Sequence, residues 1–546
     1  MEIEMQGLMQ HWPLTVDKIL DHAARVHGDA EVVTRRLGGD IHRISYAALH
    51  DRAKQVSAAL MAQGIRPGDR VATLAWNGER HMECWYGTMG IGAVLHTINP
   101  RLHADQIVWI ANHAADRVLV LDACFVPLIE SIRDRLPIEH YVIIADRDAM
   151  PANDLGALCY EDWIAGRDTG TPWGGFDENA ACGLCYTSGT TGNPKGVLYS
   201  HRSNVLHAMM ALGRDVLNIG RNDVVMPVVP MFHANAWGMA FVCPAAGARM
   251  VMPGAQLDGA SIYELLDSER VTMTAAVPTV WIGLLHHLRE HGLCLPWLKR
   301  VVIGGAALPE AILRAFEDDY GIEVIHGWGM TELSPMGTLG GLMPALADAD
   351  RDIQVRQKLK QGIPPFGVEL KIVDEDGEEL PADGNSPGRL KARGFAVAGG
   401  YLDGDGGDVL DADGWFDTGD VATIDNHGAM QITDRAKDVI KSGGEWISSI
   451  DIENAVLSHA GVANAAAIGV PHPKWDERPL LIVQAEPGAR PADHELRDLL
   501  EGRIARWWMP DEIVFIDAIP LGPTGKVNKL KLRELHREGK LRAPLN

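Results

Sequence analysis

The 546 residues, 46% hydrophobic and 23% charged, have the composition of a soluble globular chain long enough for more than one domain and a large core. A formal charge of −23 argues against a nucleic-acid binder, and means that any phosphate-rich ligand must be met by a few local cations. Seven scattered cysteines make no disulfide framework, no apolar run reaches the ~18 residues of a membrane span, and residues 1–10 lack a basic-then-apolar leader pattern, so a cytoplasmic location is the default expectation.

From residue 70 the chain alternates short apolar runs with stretches of helical spacing. Runs at 71–75, 93–98, 118–121 and 141–145 read as strands, with helices expected over 80–89, 104–112 and 126–135. That alternation predicts parallel α/β layers. Cys182 and Cys185 have CxxC spacing without a second pair, and core strand cysteines are expected there rather than a metal or redox site. The apolar runs 181–185 and 197–199 bracket the loop Tyr186-Thr187-Ser188-Gly189-Thr190-Thr191-Gly192-Asn193-Pro194-Lys195-Gly196. Its glycines let backbone N–H groups approach an anion, its hydroxyls add donors, and Lys195 brings a full positive charge, so the loop reads as a phosphate cradle. It is not the common G-x-x-x-x-G-K-[ST] loop, because Asn193 and Pro194 precede Lys195 and a glycine follows it.

Further strands are expected at 224–229, 249–252, 272–277, 301–303 and 324–326. Residues 342–360 lose the apolar rhythm and read as a surface excursion. Residues 368–373 and 388–392 read as antiparallel strands, the acidic glycine-rich run 403–414 as a solvated turn without the ligand order of an EF-hand, and 421–433 as a hairpin. After residue 434 an α+β pattern begins: helix 449–458, strands 465–470 and 480–484, helix 494–503, strand 513–515 and helix 529–537. The expected organisation is a large multilayered α/β domain over 1–434 and a small mobile α+β domain over 435–546.

Several other stretches carry chemistry. Met231-Phe232-His233-Ala234-Asn235-Ala236-Trp237-Gly238 follows a buried strand and could line a half-apolar cleft. Small residues at Gly304, Gly305, Ala306 and Ala307 would let a flat base approach the backbone. His326-Gly327-Trp328-Gly329-Met330-Thr331-Glu332 combines an aromatic, a hydroxyl and a carboxylate, the last suited to Mg²⁺ shared with phosphate oxygens. Asp420, after a tight turn, suits a ribose diol.

The phosphate loop resembles the signature loop of the acyl-adenylate-forming, AMP-binding superfamily, which includes acyl-CoA ligases, luciferases and peptide-synthetase adenylation domains, and the later stretches match its motifs in order. That resemblance implies an ATP-, Mg²⁺- and CoA-dependent acid–thiol ligase. Thr187, Ser188, Gly189, Thr190, Thr191 and Lys195 would hold polyphosphate. Gly304, Ala306, Ala307, His326, Gly327, Trp328, Gly329, Met330, Thr331, Asp420 and Arg435 would bind ATP or AMP. Glu332 and Thr187 would hold the metal, and His233, Trp237, Gly329, Ser334 and Pro335 the acyl group, with Trp237 as gate. Lys437 matches the hinge. Ser442, Gly443, Gly444, Glu445 and Trp446 match the loop facing CoA. Lys526, in Pro520-Leu521-Gly522-Pro523-Thr524-Gly525-Lys526, matches the adenylating lysine and joins Lys195, His233, Thr331 and Glu332 in the expected catalytic set. The superfamily more often has tyrosine where this chain has Trp328, a change expected to keep stacking and lose a phenolic hydrogen bond. The stretch 230–237, with Asn99-Pro100-Arg101 and Lys474-Trp475-Asp476-Glu477-Arg478-Pro479, is similar to medium- and long-chain fatty-acyl-CoA ligases and to bacterial methylmercaptopropionate-CoA ligases. A short or medium aliphatic acid is therefore expected, an aryl or cinnamate-type acid second, and loading of a separate carrier protein third. Superfamily members are often homodimers, but no stretch here marks an interface.

Overall fold

Short runs rich in Val, Ile and Leu, separated by helices, favour strands buried on both faces, and they pack as two mainly parallel sheets. The computed structural model describes residues 7–187, 193–435, 438–442, 445–489, 491–522 and 526–541, with backbone alone for Arg435, Glu445 and Trp446. The first sheet has eight strands in the order Met336–Leu339, Glu323–Gly329, Arg300–Gly304, Met273–Ala276, Val224–Pro227, Arg249–Met252, Glu31–Arg35 and Ile41–Ser45. The second has seven, in the order Leu158–Cys159, His140–Ile144, Asp116–Asp122, Arg70–Leu74, Val94–Thr97, Ala181–Tyr186 and Gly196–Ser200. Antiparallel pairs occur only at their ends among the described strands.

Helix Glu79–Gly90 is buried along its whole length. Its charged residues are therefore paired: Glu83 accepts from Arg52 Nε at 2.8 Å and from the Tyr160 hydroxyl at 2.6 Å. Trp85 and Tyr86 of the same helix pack on Phe241, joining the core to helix Met239–Ala246.

Each parallel sheet has a point where neighbouring strands send their crossovers in opposite directions, the place where open α/β sheets bind ligands. In the second sheet it lies between Arg70–Leu74 and Asp116–Asp122, and in the first between Val224–Pro227 and Met273–Ala276. Asn77 ties the two together. Its Nδ2 donates to the carbonyls of Pro227 and Val229 at 2.8 and 2.9 Å, and its Oδ1 accepts from Met231 N at 2.7 Å. The topology thus brings the carboxyl ends of both sheets to one place.

A four-stranded antiparallel sheet follows, Val368–Val373, Gly388–Gly394, Phe416–Ile424 and Met430–Arg435. The last sheet is built from Glu445–Ile447, Ile440–Ser442, Asp476–Ala485 and Val462–His472, with Glu512–Phe515 on Asp476–Ala485. Arg478 is its keystone. The guanidinium donates to Asp511 Oδ1, to the carbonyls of Trp507 and Met509 and to Ser442 Oγ at 2.9 to 3.3 Å.

Three expectations need correction. Residues 342–360 are not wholly an excursion: helix Arg351–Leu359 buries Val355 and offers the Leu359 carbonyl to His326. The helices expected over 126–135 and 494–503 stop early, at Val126–Glu130 and Asp493–Leu500. Before residue 70, helices Asp17–Val26 and Tyr46–Ala62 flank the two strands that complete the first sheet. Among the described residues no helix is long and apolar enough to cross a membrane.

Candidate active site

A cavity of about 640 Å³ opens where the carboxyl ends of the first sheet meet the four-stranded sheet and Lys526. Of the residues singled out in the sequence, it is lined by Thr187, Asn193, Lys195, His233, Ala234, Trp237, Gly304, Gly305, Gly327, Trp328, Gly329, Met330, Thr331, Glu332, Pro335 and Lys526. Ser188, Gly189, Thr190, Thr191, Lys437, Gly443 and Gly444 lie outside the described residues, as do the side chains of Arg435, Glu445 and Trp446.

The two ends of the phosphate loop are closed by backbone and hydroxyl together: Thr187 N donates to the Lys195 carbonyl at 2.9 Å, and Lys195 N donates to Thr187 Oγ1 at 3.2 Å. The Lys195 ammonium lies 4.8 Å from the centre of the Tyr401 ring, a cation–π contact. The Tyr401 hydroxyl donates to Glu332 Oε1 at 2.7 Å. One tyrosine therefore places both the cation and the carboxylate. Gly406 lies beside them with φ of 80°, the left-handed region that favours glycine, and a Cβ there would sit 2.5 Å from Lys195 Nζ and displace the ammonium. The acidic run expected to be a solvated turn thus begins inside the site, with Asp405 and Gly406 on the cavity wall.

Among the described residues no group of three His, Cys, Asp or Glu side chains could cage a metal. Glu332, buried and oriented by Tyr401, is a carboxylate able to hold a hard cation together with phosphate oxygens.

Strand Glu323–Gly329 and the turn after it form the opposite wall. Gly329 has no room for a side chain: a Cβ would lie 1.9 Å from the Pro335 carbonyl oxygen, which accepts from Met330 N at 2.9 Å. The Trp328 indole fits over Gly337 and donates from Nε1 to Asp420 Oδ2 at 2.9 Å. The hydrogen bond expected to be lost with tyrosine is thus replaced by one from the indole, and Asp420 sits behind Trp328 rather than on the cavity lining. His326 is buried beneath the strand, its Nδ1 bonded to the Leu359 carbonyl, and burial pushes its pKa down to about 4. Ser334 also points away, its hydroxyl donating to the Ala396 carbonyl at 2.9 Å. Ala306, Ala307 and Ser442 are likewise off the lining.

His233 and Trp237 flank an unusual backbone. Ala234, Asn235, Ala236 and Trp237 have φ of 44°, 57°, 50° and 53°, and Gly238 79°. A run of left-handed non-glycine residues costs roughly 1–2 kcal/mol each, so surrounding bonds must hold it. Asn235, buried, donates to Asn204 Oδ1 at 3.5 Å and accepts from the Cys185 thiol at 3.8 Å. Gly238 leaves space for His207, whose Nε2 accepts from Met336 N at 3.4 Å. The run directs the Trp237 ring onto Gly304, where a Cβ would come within 3.2 Å of Cη2. Burial, and then the charge of Lys526, push His233 down to about 4, so it is neutral at physiological pH. The CxxC thiols lie in the strand behind; burial pushes Cys182 up to about 12.

The cavity wall also carries the apolar side chains Leu217, Val302, Met336 and Leu339, which belong to the core cluster against which Trp237 packs. The sequence reading missed these four, together with Trp109, Tyr401, Asp405 and Thr418. Only Tyr401 had a signal, an aromatic after the Gly399-Gly400 pair.

The AMP-binding enzyme family model matches residues 20–402, and the AMP-binding enzyme C-terminal domain matches 451–526. A 3-methylmercaptopropionyl-CoA ligase of Ruegeria lacuscaerulensis is 49% identical, covering 97% of this chain and 98% of its own. A medium-chain-fatty-acid–CoA ligase of Ectopseudomonas oleovorans is 46% identical, with 99% of each chain covered. Among solved structures, the anthranilate CoA ligase AuaEII in complex with anthranoyl-AMP superposes with a TM-score of 0.87 at 26% identity, covering 97% of this chain and 99% of that one.

Proposed function

The chain belongs to the AMP-binding enzyme family, and from that premise we propose that it is an AMP-forming acyl-CoA synthetase for a short or medium aliphatic acid, either a fatty acid or 3-methylmercaptopropionate. The observation that carries this reading is one cavity with Lys195 and Lys526 on its lining together with the apolar side chains Leu217, Val302, Met336 and Leu339 beside Trp237.

In the first half-reaction the acid carboxylate attacks the α-phosphate of ATP, the P–O bond to pyrophosphate breaks, and an acyl-adenylate forms. Two anions must approach and charge builds on phosphorus. Lys526 bridges them, which positions the pair and stabilises the developing charge in a water-poor site. Lys195 and Thr187 hold the departing polyphosphate. Glu332 would hold Mg²⁺, which when bound neutralises phosphate charge. Trp328 packs on the adenine and Thr331 contacts the α-phosphate. Neutral His233 is a hydrogen-bonding wall at the acyl end and brings no charge to repel or trap the carboxylate.

In the second half-reaction residues 435–546 turn about Lys437, withdrawing Lys526 and bringing the loop from Ser442 to Trp446 to the adenylate. The CoA thiolate attacks the acyl carbon, AMP leaves, and the thioester is released. No nucleophilic side chain is needed, because the adenylate is already activated.

Acid choice follows from this apolar wall. Leu217, Val302, Met336 and Leu339 present no charged group to the acyl chain, which favours aliphatic carbon and sulfur over polar acids. The test is acyl-CoA formation across acids from acetate to palmitate, with 3-methylmercaptopropionate and cinnamate. A maximum among four- to eight-carbon acids or the thioether acid supports the reading. A cinnamate maximum, or adenylate formation without thioester, would replace it with an aryl-acid ligase or a carrier-protein loader.

A further inference from the structure

The Lys195 ammonium rests on the Tyr401 ring, and the turn that follows Tyr401 passes against it at Gly406. That turn carries two carboxylates, Asp403 and Asp405, the second of them on the cavity wall. A carboxylate this close to an ammonium gains by pairing with it. Yet among the described residues no carboxylate forms an ion pair with Lys195. Both carboxylates face His113 instead, with Asp405 Oδ2 3.5 Å and Asp403 Oδ2 3.9 Å from its Nε2. In a chain of net charge −23, a lysine kept apart from the acidic turn that touches it calls for a physical cause.

His113 is held from three sides. It stands four residues after Trp109 on one face of helix Ala104–Ala114, and the two rings stack, 4.7 Å between centres and 12° between planes. Trp109 is itself part of the cavity wall. The imidazole Nδ1 lies 2.7 Å from the hydroxyl of Tyr186, the last residue of the strand that leads into the phosphate loop. Burial first, then the charges of Asp116 and the two turn carboxylates, raise the Tyr186 pKa, so its hydroxyl stays protonated and donates to Nδ1. Nε2 therefore carries the proton, and it faces two groups that can only accept. The histidine is largely buried and Asp405 less so, which makes the ring the fixed partner. Leu402 packs on the cluster of Val94, Ala114 and Leu184, and seats the turn independently of the histidine.

We propose that His113 is a positioning residue for ATP, drawing the carboxylates of Asp403 and Asp405 away from Lys195 so that the ammonium receives the polyphosphate. The histidine acts through these carboxylates and touches no substrate. Were Asp405 paired with Lys195, the lysine would have to shed it before meeting phosphate, and the released carboxylate would then stand beside an incoming polyanion. Turned towards Nε2, the same carboxylate leaves the positive charge to the ligand. The demand exists only while polyphosphate occupies the site. Thioester formation, which starts after pyrophosphate has left, does not need the histidine. This rests on the ligase reading above, in which Lys195 holds the departing polyphosphate.

The test compares His113→Phe, which keeps a ring on Trp109 and removes both nitrogens, with His113→Gln, which keeps an N–H donor. A third variant combines His113→Phe with Asp405→Asn. Initial rates give KM for ATP, CoA and acid, and thioester formation from preformed acyl-adenylate reads the second half-reaction alone. A competing ion pair at a partly exposed site predicts that His113→Phe raises the ATP KM about fivefold. Its CoA KM and its rate from the adenylate stay within about twofold of wild type. His113→Gln recovers most of the ATP affinity by restoring the donor, and the double variant recovers it by removing the competing charge. An unchanged ATP KM in His113→Phe overturns the assignment. So does a defect that Asp405→Asn fails to relieve, or one shared equally by thioester formation from the adenylate. Wild-type protein that shows no acid-dependent pyrophosphate exchange would instead overturn the ligase reading on which it stands.

Discussion

Replacing Tyr401 with phenylalanine removes one oxygen and leaves the ring. That oxygen donates to Glu332 at 2.7 Å, while the ring face carries the Lys195 ammonium at 4.8 Å. The variant therefore separates two functions of one side chain. A hydrogen bond to a charged acceptor contributes roughly 1.5–3 kcal/mol, and the half-buried position of Tyr401 places this one near the lower end, about tenfold in rate or affinity. Acid-dependent pyrophosphate exchange should fall about tenfold in Tyr401→Phe, and the Mg²⁺ concentration for half-maximal rate should rise by a similar factor. The ATP KM at saturating Mg²⁺ should change less than about threefold, because Lys195 keeps its platform. Tyr401→Ala should add a further several-fold rise in ATP KM, the size of a partly desolvated cation–π contact. Wild-type Mg²⁺ dependence in Tyr401→Phe, or an ATP defect as large as that of Tyr401→Ala, would refute the assignment of Glu332 orientation to the hydroxyl.

Two other predictions concern the cavity wall and the buried histidines. Gly329→Ala must open the 1.9 Å approach to the Pro335 carbonyl by more than an ångström; a displacement of that size beside the reacting groups should lower kcat/KM about 100-fold, read by steady-state kinetics with circular dichroism to show the fold retained. Stability should fall on mild acidification. His81, His201, His207 and His326 are buried and pushed down to about 4, so the unfolded chain binds their protons first. Their stabilisation is complete above pH 6.5 and is lost towards pH 4, each group contributing about 1.4 kcal/mol per pH unit. Asp122, raised to about 7 by burial, works in the opposite sense over the same window and offsets part of that loss. Urea melts between pH 7 and 5 check this; a midpoint unchanged over that range would contradict it.

The nucleotide side of the site was legible because phosphate and base binding demand residues that are rare together. Glycines at 304, 327 and 329, a hydroxyl and carboxylate at Thr331 and Glu332, and lysines at 195 and 526 stand out from the apolar rhythm of the strands. The apolar wall was not legible. Leu217, Val302, Met336 and Leu339 are ordinary core residues, and only the tertiary arrangement leaves a space between them. The left-handed run from Ala234 to Trp237 was hidden for a different reason: local propensity disfavours it, and the bonds of Asn235 to Asn204 and Cys185 that hold it come from distant segments. Strand Glu31–Arg35 was missed because its parallel partner, Arg249–Met252, lies over 200 residues away. Helix Arg351–Leu359 was missed because it buries Val355 and Gln357 and otherwise shows no apolar stripe. Trp328 gives the converse lesson, since a substitution that reads as the loss of a phenolic bond brings its own donor to Asp420.

The central claim is that one cavity couples ATP cleavage to thioester formation, with Lys526 acting in the first step only. The measurement that tests it most directly is AMP and acyl-CoA release by wild type and Lys526→Ala, starting from free acid with ATP and separately from preformed acyl-adenylate. The account predicts equal amounts of AMP and acyl-CoA from wild type. It predicts loss of turnover by two or more orders of magnitude from free acid in Lys526→Ala, and nearly full thioester formation when the adenylate is supplied. Equal impairment from both starting points, or AMP released by wild type without a matching thioester, would contradict it.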